Sequence, residues 1–466
     1  MGICGTAMAS LAGLLKERGF QVSGSDSNPY PPMSTQLENL GIQIKTPYSE
    51  KNLLPAPDFV IVGNVISAQN PEAVELKKTG IPFTSLPKAL GEWIIDQKNC
   101  ICISGTHGKT TTTSLMSWVM EKAGKKPGFL IGGIPKNFNY SFKNPEGDFF
   151  VIEGDEYDTA FFDKVPKFVH YKPKHVILTS IEFDHADIYK DLEDVKKAFA
   201  RLLKIIPVQG SFIYWEEDPH IRDLLDETNT QNVYSYGFNK KDNPNHARCE
   251  ISKVTEEGTE FKVFYRSSQW GPFLLKQPGE YNVLNATAVI VMALNLRIET
   301  EVLKEAVAGF EGVKRRQEIL GEPGGRLLIE DFAHHPTAVR ETLKGIKKKY
   351  PQKKIHAVFE PRSATSRRKI FQKEYAQAFG AGQKVYIMKA FDQSKLQDED
   401  KFSSEDLVAD LNKGANKLCA SLYEDVNSIV DSLKKESAPG DLIVIMSNGG
   451  FEDIYGKLIR ALSKDS

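Results

Sequence analysis

Apolar runs typical of buried strands alternate with helical patterns along nearly the whole of this 466-residue chain. Such alternation predicts an α/β protein with parallel sheets, because parallel strands need a crossover segment, which is usually a helix. The chain is too long for one hydrophobic core. Its motifs fall into three blocks, and we expect domains at 1–98, 99–313 and 314–466.

The composition excludes several classes of function. The 60 Lys and Arg residues balance 61 Asp and Glu residues, so a net charge of −1 gives no global field that would recruit nucleic acid or an anionic membrane. No apolar run reaches the roughly 18 residues of a transmembrane helix, and the N-terminus lacks a signal-peptide pattern. The cysteine count is five, which favours a reducing compartment. We expect a cytoplasmic protein with no obligatory protein partner.

The first block opens with "MGICGTAMASLAGLLKERGFQVSGSD", a glycine turn followed by an amphipathic helix and a strand. This is the order of a dinucleotide-type βαβ unit, in which an acidic residue follows the glycines by about 20 positions. Gly2, Gly5 and Asp26 are therefore candidates for holding a nucleotide. The strand that should precede the turn is missing, because Met1 stands directly before Gly2. Either the natural chain starts upstream or this strand was lost.

The second block begins with "ICISGTHGKTTTTSL", residues 101–115, where an apolar strand runs into a glycine loop and then a helix. Backbone N–H groups at the start of that helix would face an anion, Lys109 would neutralise it and Thr110 would ligate Mg²⁺. The common phosphate-loop pattern has a leading glycine where this chain has Ile103. The alternative is a plain helix start rich in Ser and Thr.

Two further strands of this block end in groups suited to a magnesium nucleotide. "FFVIEGDEYD" places Glu153 first after an apolar run, and Mg²⁺ prefers hard oxygen ligands of this kind. "ILTSIEFDHADIY" has His185 directly after an aspartate near its strand end. Histidine is an unusual ligand of Mg²⁺, so a hydrogen-bonded structural histidine remains the alternative.

Polar residues also follow the strands of the third block. "EDFAHHPT" sets Asp331 and two adjacent histidines before Pro336, a suitable first residue of a helix, and these histidines are either helix caps or ligands. "FEPRSAT" places Arg362 at a strand end, where its guanidinium can clamp a carboxylate. "MSNGGF" supplies Ser447 and Asn448 beside two glycines, which suits backbone contact with a ligand.

Taken in order, these segments resemble the ATP-dependent Mur ligases, and the resemblance covers nearly the whole chain. The phosphate loop of that family reads GTxGKT without the leading glycine, as "GTHGKT" does here. The resemblance implies a Rossmann-like domain for a UDP-sugar, a central P-loop ATPase-like domain and a Rossmann-like C-terminal domain for an amine-bearing substrate. It also implies the activity. ATP phosphorylates a UDP-muramoyl carboxylate, and the amine of an amino acid or peptide then attacks the acyl phosphate.

The resemblance assigns a role to each candidate residue. Lys109, Glu153 and His185 would be catalytic, with Lys109 holding the transferring phosphate. Metal ligands would be Thr110, Glu153 and His185. The segment "GEYNVLNATA" matches the adenine segment of the family, with Tyr281 in place of its usual histidine. Residues expected to bind ATP are Gly105, Thr106, His107, Gly108, Lys109, Thr110, Thr111, Asn282, Asn285, Arg316 and Asp331. Those expected to bind the UDP-sugar are Gly2, Gly5, Asp26 and His107. Those expected to bind the peptide are His334, Arg362, Ser447 and Asn448.

One position separates the branches of this family. Several Mur ligases carry a lysine 15 residues after the histidine of the Asp-His motif, and Ala200 stands there in this chain, as in the branch that uses unsubstituted UDP-N-acetylmuramate. Within that branch, "NPYPPMSTQLE", "KFVHYKP", "EFDHADIY", "EPRSAT" and "SNGGF" resemble the murein peptide ligases. That resemblance implies ATP and Mg²⁺ as cofactors. It implies UDP-N-acetylmuramate and the recycled tripeptide L-alanyl-γ-D-glutamyl-meso-diaminopimelate as substrates. The alternatives are a UDP-N-acetylmuramate–L-alanine ligase and a nucleotide-binding regulator without catalytic activity.

Overall fold

The computed structural model of the protein describes residues 1–29, 31, 33–414 and 418–463. Helices and mostly parallel strands alternate through these residues, which confirms the predicted α/β class. Tyr30 and Pro32 of the motif "NPYPPMSTQLE" lie outside the described residues. Within the described ranges, no helix is long and apolar enough to cross a membrane.

The first part of the chain contains two small parallel sheets, β1–β2 and β3–β4. Its elements are α1 (Thr6–Glu17), β1 (Ser23–Ser25), α2 (Met33–Asn39), β2 (Gln43–Lys45), β3 (Val60–Val62), α3 (Pro71–Thr79), β4 (Phe83–Ser85) and α4 (Leu86–Leu90). Met1 and Gly2 run between the two sheets. The Gly2 N–H donates to the Ser25 carbonyl at 2.8 Å, and the Met1 carbonyl accepts from the Gly63 N–H at 3.1 Å. The glycine turn thus begins at the position expected for the end of a central strand.

The middle of the chain is built on one large sheet with the strand order β16-β15-β14-β13-β12-β11-β5-β8-β6-β7. Its elements are β5 (Asn99–Ser104), α5 (Lys109–Lys122), β6 (Gly128–Leu130), β7 (Phe142–Lys143), β8 (Phe149–Gly154), β9 (Asp158–Ala160), β10 (Asp163–Pro166), α6 (Phe168–Tyr171), β11 (His175–Leu178), α7 (Leu192–Lys204), β12 (Ser211–Trp215), α8 (Pro219–Arg222), β13 (Val233–Gly237), β14 (His246–Val254), β15 (Thr259–Tyr265), β16 (Ser268–Leu275), α9 (Glu280–Asn295) and α10 (Thr300–Ala308). Strands β5, β8 and β11 lie side by side and parallel, so their carboxyl ends meet at one edge.

Both faces of β5 are buried, which explains why its sequence reads as an uninterrupted apolar run. Ile101 and Ile103 point to one side, into the core formed with α5 and α9. Cys100 and Cys102 point to the other side, into a core shared with α1, α4 and α7. Side chains alternate along a strand, and a parallel strand covered on both faces needs apolar residues at every position.

The last part of the chain is a sheet with the strand order β17-β18-β22-β19-β20-β21 in the described residues, parallel except for β17. Its elements are β17 (Glu318–Gly321), β18 (Leu327–Asp331), α11 (Pro336–Lys349), β19 (Ile355–Phe359), α12 (Gln372–Ala378), β20 (Lys384–Met388), α13 (Ser404–Lys413), β21 (Cys419–Tyr423), α14 (Val426–Glu436), β22 (Leu442–Met446) and α15 (Ile454–Leu462). Apolar clusters cover both faces of this sheet. Pro336 is the first residue of α11, as predicted.

Direct contacts fasten the outer parts of the chain to the middle sheet. On one side, the hydroxyl groups of Ser10 in α1 and Ser141 before β7 lie 2.8 Å apart in a buried position. On the other side, Lys348 Nζ donates to Glu280 Oε1 at 3.0 Å, and Lys349 Nζ donates to the Lys276 carbonyl at 2.9 Å. These contacts bring the three parts of the chain around a common cavity.

Candidate active site

A cavity of about 840 Å³ lies where the three parts of the chain meet. Its wall combines the glycine turn, the phosphate loop with the strand ends beside it, and the segments that follow Val313 and β18. Of the residues predicted from the sequence, the wall includes Gly2, Gly5, Thr106, His107, Gly108, Lys109, Thr110, Thr111, Glu153, His185, Asn282, Asn285, Arg316, Asp331 and His334. Most of the predicted nucleotide residues are therefore brought together in space.

The phosphate loop joins β5 to α5, as the sequence predicted, and its two glycines sit where no side chain fits. At Gly105, φ is +126° and a β-carbon would lie 2.3 Å from Thr179 Oγ1. At Gly108, φ is +80° and a β-carbon would lie 2.7 Å from Asn285 Oδ1. Left-handed backbone and close contacts at both ends of the loop explain the glycine spacing. The loop therefore delivers the N-terminus of α5 to the cavity.

Lys109, the first residue of α5, is held by acceptors on both sides. Its Nζ donates to the Gly105 carbonyl at 2.6 Å and to Glu156 Oε2 at 3.3 Å. Burial alone would lower the pKa of Lys109, but the carboxylates of Glu156 and Asp155 outweigh it and raise the pKa. Lys109 therefore presents a positive charge to the cavity at neutral pH.

The two predicted ligands of a first metal ion are neighbours. Thr110 Oγ1 donates to Glu153 Oε2 at 3.0 Å, and the other carboxylate oxygen accepts from the Gly132 N–H at 2.6 Å. Burial, and then the charge of Asp155, raises the pKa of Glu153. A hydroxyl and a carboxylate oxygen at this separation suit the hard-ligand preference of Mg²⁺, and a cation there would offset the cost of burying the carboxylate.

His185 lies on the same cavity wall but is connected to Lys109 through a residue that the sequence predictions did not assign. Its Nε2 is 3.4 Å from Glu156 Oε1, while the second oxygen of Glu156 accepts from Lys109. Glu156 is only 2% exposed. The sequence showed Glu156 in the same acidic segment as Glu153, directly after the apolar run of β8. That segment contains three other acidic residues, and nothing in the sequence favoured Glu156 among them.

Arg316 and Asp331 close the cavity from the side of the last sheet. The Arg316 guanidinium lies 4.5 Å from the centre of the Phe332 ring. The Asp331 carboxylate accepts from the backbone N–H groups of Ala333 at 2.7 Å and Gln317 at 2.8 Å. Burial lowers the pKa of Arg316 and raises that of Asp331, while the attraction between them opposes both shifts. Asp331 therefore shapes the two backbone segments that face the cavity.

The two asparagines of α9 differ in their contacts. Asn282 Nδ2 donates to the Pro278 carbonyl at 2.7 Å and to Gln317 Oε1 at 3.1 Å. Asn285 Nδ2 is buried and has no hydrogen-bond partner among the described residues. A buried amide normally has a partner, so Asn285 retains a donor for a bound molecule.

Glu182 and Asp184 connect the end of β11 to the last part of the chain, and the sequence predictions assigned neither. Thr337 Oγ1 donates to Glu182 Oε2 at 2.8 Å, and the Thr365 hydroxyl donates to Asp184. Burial would raise the pKa of Glu182, but His107 and then other neighbours lower it to about 2. Both residues belong to "EFDHADIY", so the motif was visible, but their partners lie more than 150 positions away in the sequence.

Three of the predicted peptide residues form a separate group beside the cavity and do not line it. Arg362 Nη1 donates to Glu360 Oε1 at 3.1 Å, and its guanidinium lies 3.9 Å from the centre of the Phe391 ring. The Ser447 hydroxyl donates to the other oxygen of Glu360. Asn448 Oδ1 is buried without a partner in the described part of the chain. This group offers a cation and an unpaired acceptor.

Asp26 also lies off the cavity wall. Its carboxylate accepts from the Cys4 N–H at 2.9 Å and from the Asn28 N–H at 3.3 Å. Asp26 therefore holds the glycine turn in shape. Gly105 is also not part of the cavity wall. Its carbonyl accepts a hydrogen bond from Lys109 Nζ.

Three family models match successive parts of the chain. The model described as "Mur ligase family, catalytic domain" matches residues 1–98, "Mur ligase middle domain" matches 103–293, and "Mur ligase, glutamate ligase domain" matches 315–449. The chain belongs to the Mur ligase family. It is accordingly an enzyme of the acid–amino-acid ligase class, which forms C–N bonds, and the predicted family and class are confirmed.

Individual members of this family align with nearly the whole chain. It is 37% identical over 465 residues to the UDP-N-acetylmuramate–L-alanyl-γ-D-glutamyl-meso-2,6-diaminoheptandioate ligase of Escherichia coli (strain K12), covering 100% of this chain and 98% of that protein. It resembles the crystal structure of a murein peptide ligase from Psychrobacter arcticus 273-4 with a TM-score of 0.75 and 34% identity, covering 99% of this chain and 98% of that one. A UDP-N-acetylmuramate–L-alanine ligase of Desulfitobacterium hafniense (strain Y51) is 31% identical, covering 98% of this chain and 97% of that protein.

Proposed function

We propose that this chain joins the carboxylate of UDP-N-acetylmuramate to the amine of L-alanyl-γ-D-glutamyl-meso-diaminopimelate, giving the UDP-linked tripeptide, ADP and phosphate. The single observation that carries the proposal is the cavity, in which the phosphate loop, the oxygen pair of Thr110 and Glu153, and His334 from the last part of the chain face one space. Higher identity to the tripeptide-adding relative than to the alanine-adding one supports the tripeptide as the amine substrate.

The reaction has two steps that this site is suited to assist. The muramoyl carboxylate oxygen attacks the γ-phosphorus of ATP, ADP leaves, and an acyl phosphate forms. The peptide amine then attacks the acyl carbon, loses a proton and expels phosphate. Phosphoryl transfer depends on positioning and electrostatic stabilisation, which Lys109 and the N-terminus of α5 supply.

Further roles follow from position on the wall and remain proposals. Mg²⁺, held by Thr110 and Glu153, would neutralise phosphate charge, and His185 would serve a second metal ion. Residues of the loop, 105–111, would hold the phosphates through backbone N–H groups. The free amide of Asn285, with Asn282 beside it, would contact the adenine, and Arg316 and Asp331 would cover the nucleotide from the last sheet.

The remaining proposed contacts divide between the two other substrates. Gly2 and Gly5 face the cavity from the first two sheets, where the UDP-sugar would lie, with Asp26 holding the turn, and His107 would reach the UDP-sugar from the phosphate loop. His334 faces the cavity from the last sheet, and the group of Arg362, Ser447 and Asn448 lies beyond it, where the carboxylates of the tripeptide would reach.

We also propose the domain limits 1–98, 99–313 and 314–466. They are supported by the change of sheet at Asn99, where β5 begins, and at Glu318, where β17 begins. A cytoplasmic location is likewise proposed, since ATP and UDP-N-acetylmuramate would be its substrates. No obligatory protein partner is proposed.

An assay of phosphate release tests the function. With ATP, Mg²⁺ and UDP-N-acetylmuramate present, we expect kcat/KM for the tripeptide to exceed that for L-alanine by about tenfold to a hundredfold, because the tripeptide adds charge-assisted contacts. More efficient ligation of L-alanine would replace the proposal by the alanine-adding alternative. Phosphate release that needs no UDP-N-acetylmuramate and no amine, or none at all, would favour a nucleotide-binding regulator.

Replacing Arg362 by alanine is expected to raise KM for the tripeptide by about tenfold to a hundredfold while leaving KM for ATP nearly unchanged. The guanidinium is the cation of the group beside the cavity, and losing a charge-assisted contact costs roughly 1.5–3 kcal/mol. Steady-state kinetics with each substrate varied in turn measures this. Arg362→Lys is the matched control, because it keeps the charge but loses the planar pair of donors. Its KM for the tripeptide should lie between those of the unmodified enzyme and Arg362→Ala. Equal changes in both KM values would remove Arg362 from the peptide site.

Replacing Gly5 by valine is expected to weaken binding of UDP-N-acetylmuramate without disturbing the fold. A β-carbon at Gly5 would have only the Gly2 carbonyl oxygen nearby, at 3.6 Å, so the valine would occupy space left for the ligand. Calorimetric titration should show affinity lower by roughly tenfold to a hundredfold, equivalent to the 1–3 kcal/mol that overpacking costs. ATP affinity serves as the internal control. Tight binding of NAD by the unmodified chain would instead point to a dinucleotide site.

A further inference from the structure

Three metal-ligating side chains from separate segments converge at the junction of the phosphate loop and the last sheet. Their nearest ligating atoms all lie within 4.8 Å of one another, and they belong to His107, Glu182 and His335. His107 Nε2 is 3.4 Å from Glu182 Oε2, and His335 Nδ1 is 3.6 Å from the same oxygen. No other group of this kind occurs among the described residues.

The hydrogen bonds around this trio show which of its nitrogens a metal ion could reach. His335 Nε2 lies 3.3 Å from the Phe183 carbonyl, which can only accept, so the proton is assigned to Nε2. Nδ1 carries the lone pair and accepts the Thr337 N–H at 3.3 Å as the cap of α11, a long contact that a metal ion would replace. His107 Nε2 is buried and has no hydrogen-bond partner in the described ranges. Thr337 holds Glu182 in place through its hydroxyl. Glu182 and His335 are thus each oriented by a neighbouring group, as ligands of protein metal sites commonly are.

The spacing suits a small tetrahedral ion. Zinc binds histidine nitrogen and carboxylate oxygen at about 2.0–2.2 Å, which places neighbouring tetrahedral ligands about 3.3–3.6 Å apart. Two of the three separations in the trio have this value. Two imidazoles with one carboxylate form a donor set that suits Zn²⁺, whereas Mg²⁺ prefers oxygen alone.

We propose that His107, Glu182 and His335 form a transition-metal site that binds Zn²⁺, distinct from the oxygen pair of Thr110 and Glu153. His107 belongs to the phosphate loop and His335 caps α11 of the last sheet. A bound ion therefore fastens the last sheet to the phosphate loop and holds the cavity closed. It slows the exchange of substrates, so Zn²⁺ inhibits turnover reversibly. The proposal does not depend on which amine the enzyme uses.

Cobalt titration of the full chain tests the site. The protein is stripped with EDTA, saturated with Mg²⁺ to fill the oxygen pair, and titrated with Co²⁺, whose visible absorption reports coordination. We expect one four-coordinate Co²⁺ that Zn²⁺ displaces. His335→Asn keeps a side-chain acceptor to cap α11 but removes the nitrogen ligand. Its Co²⁺ affinity should fall by at least about tenfold to a hundredfold, the loss that even groups orienting the ligands cause.

Matched variants separate this site from its neighbours. His334→Asn makes the same change at the adjacent histidine, whose Nδ1 faces the Phe332 carbonyl, and should leave the cobalt spectrum intact. Glu153→Gln should also leave it intact. Glu182→Gln is the second variant expected to lose the cobalt spectrum. It serves as the test if His335→Asn unfolds in EDTA. A spectrum that survives both trio variants, or that disappears with Glu153→Gln, would overturn the proposal. Supporting data would also include Zn²⁺ inhibition that EDTA reverses and that His335→Asn weakens.

Discussion

Replacing Lys109 by alanine lowers the rate of ligation by about 10²–10³-fold, the typical cost of removing one preorganised group that stabilises developing charge. Lys109 is the cation at the start of α5, and its pKa is raised by Glu156 and Asp155 against the effect of burial. It therefore carries its charge before any substrate arrives. Steady-state measurement of phosphate release, with all three substrates saturating, gives the rate.

The structure requires a control for stability, because Glu156 is buried and would lose its ion-pair partner. Breaking a buried pair by removing one charge costs about 3–5 kcal/mol. The double variant Lys109→Met with Glu156→Gln removes both charges and should restore the unfolding temperature while leaving the rate low. Lys122→Ala, at the exposed far end of α5, should behave as the unmodified enzyme. A folded Lys109→Ala protein with a nearly normal rate would remove Lys109 from the phosphate site.

Replacing Gly105 by alanine is expected to lower the free energy of unfolding by about 2–6 kcal/mol. The added β-carbon would lie 2.3 Å from Thr179 Oγ1 and 2.8 Å from the Ser180 nitrogen, while φ stays at +126°. Backbone strain of this kind costs about 1–3 kcal/mol, and overpacking adds about 1–3 kcal/mol. Urea denaturation followed by tryptophan fluorescence measures the loss. Weaker nucleotide binding should accompany it, because the Gly105 carbonyl positions Lys109.

Gly124 provides the matched comparison for this effect. It follows α5, has φ of +68°, and a β-carbon there would meet nothing within 4 Å. Gly124→Ala therefore introduces left-handed strain without a contact, and should cost only about 1–2 kcal/mol. If the two variants lose equal stability, the close approach of β11 to the phosphate loop is not what requires glycine at position 105.

Local chemistry along the chain determined much of the fold and the centre of the site. The apolar run of β5, the glycine loop and the helix formers of α5 specify a strand–loop–helix unit, because each choice depends on neighbouring residues alone. Polar residues after β8, β11 and β18 were likewise readable as site residues, since carboxyl ends of parallel strands share one edge. Lys109, Thr110 and Glu153 were predicted from such local patterns, and the structure places all three on the cavity wall.

Only the tertiary structure decided which charged groups meet. Glu156 was one of four acidic residues in the segment from Glu153 to Asp158, and its pairing with Lys109 depends on the path of the chain beyond the sheet. Glu182 meets His335 across 153 positions, because contacts such as that between Lys348 of α11 and Glu280 of α9 fix how the last sheet docks. Arg362 sits beside the cavity for the same reason. Docking depends on side chains from separate sheets packing together, and local periodicity carries no information about that.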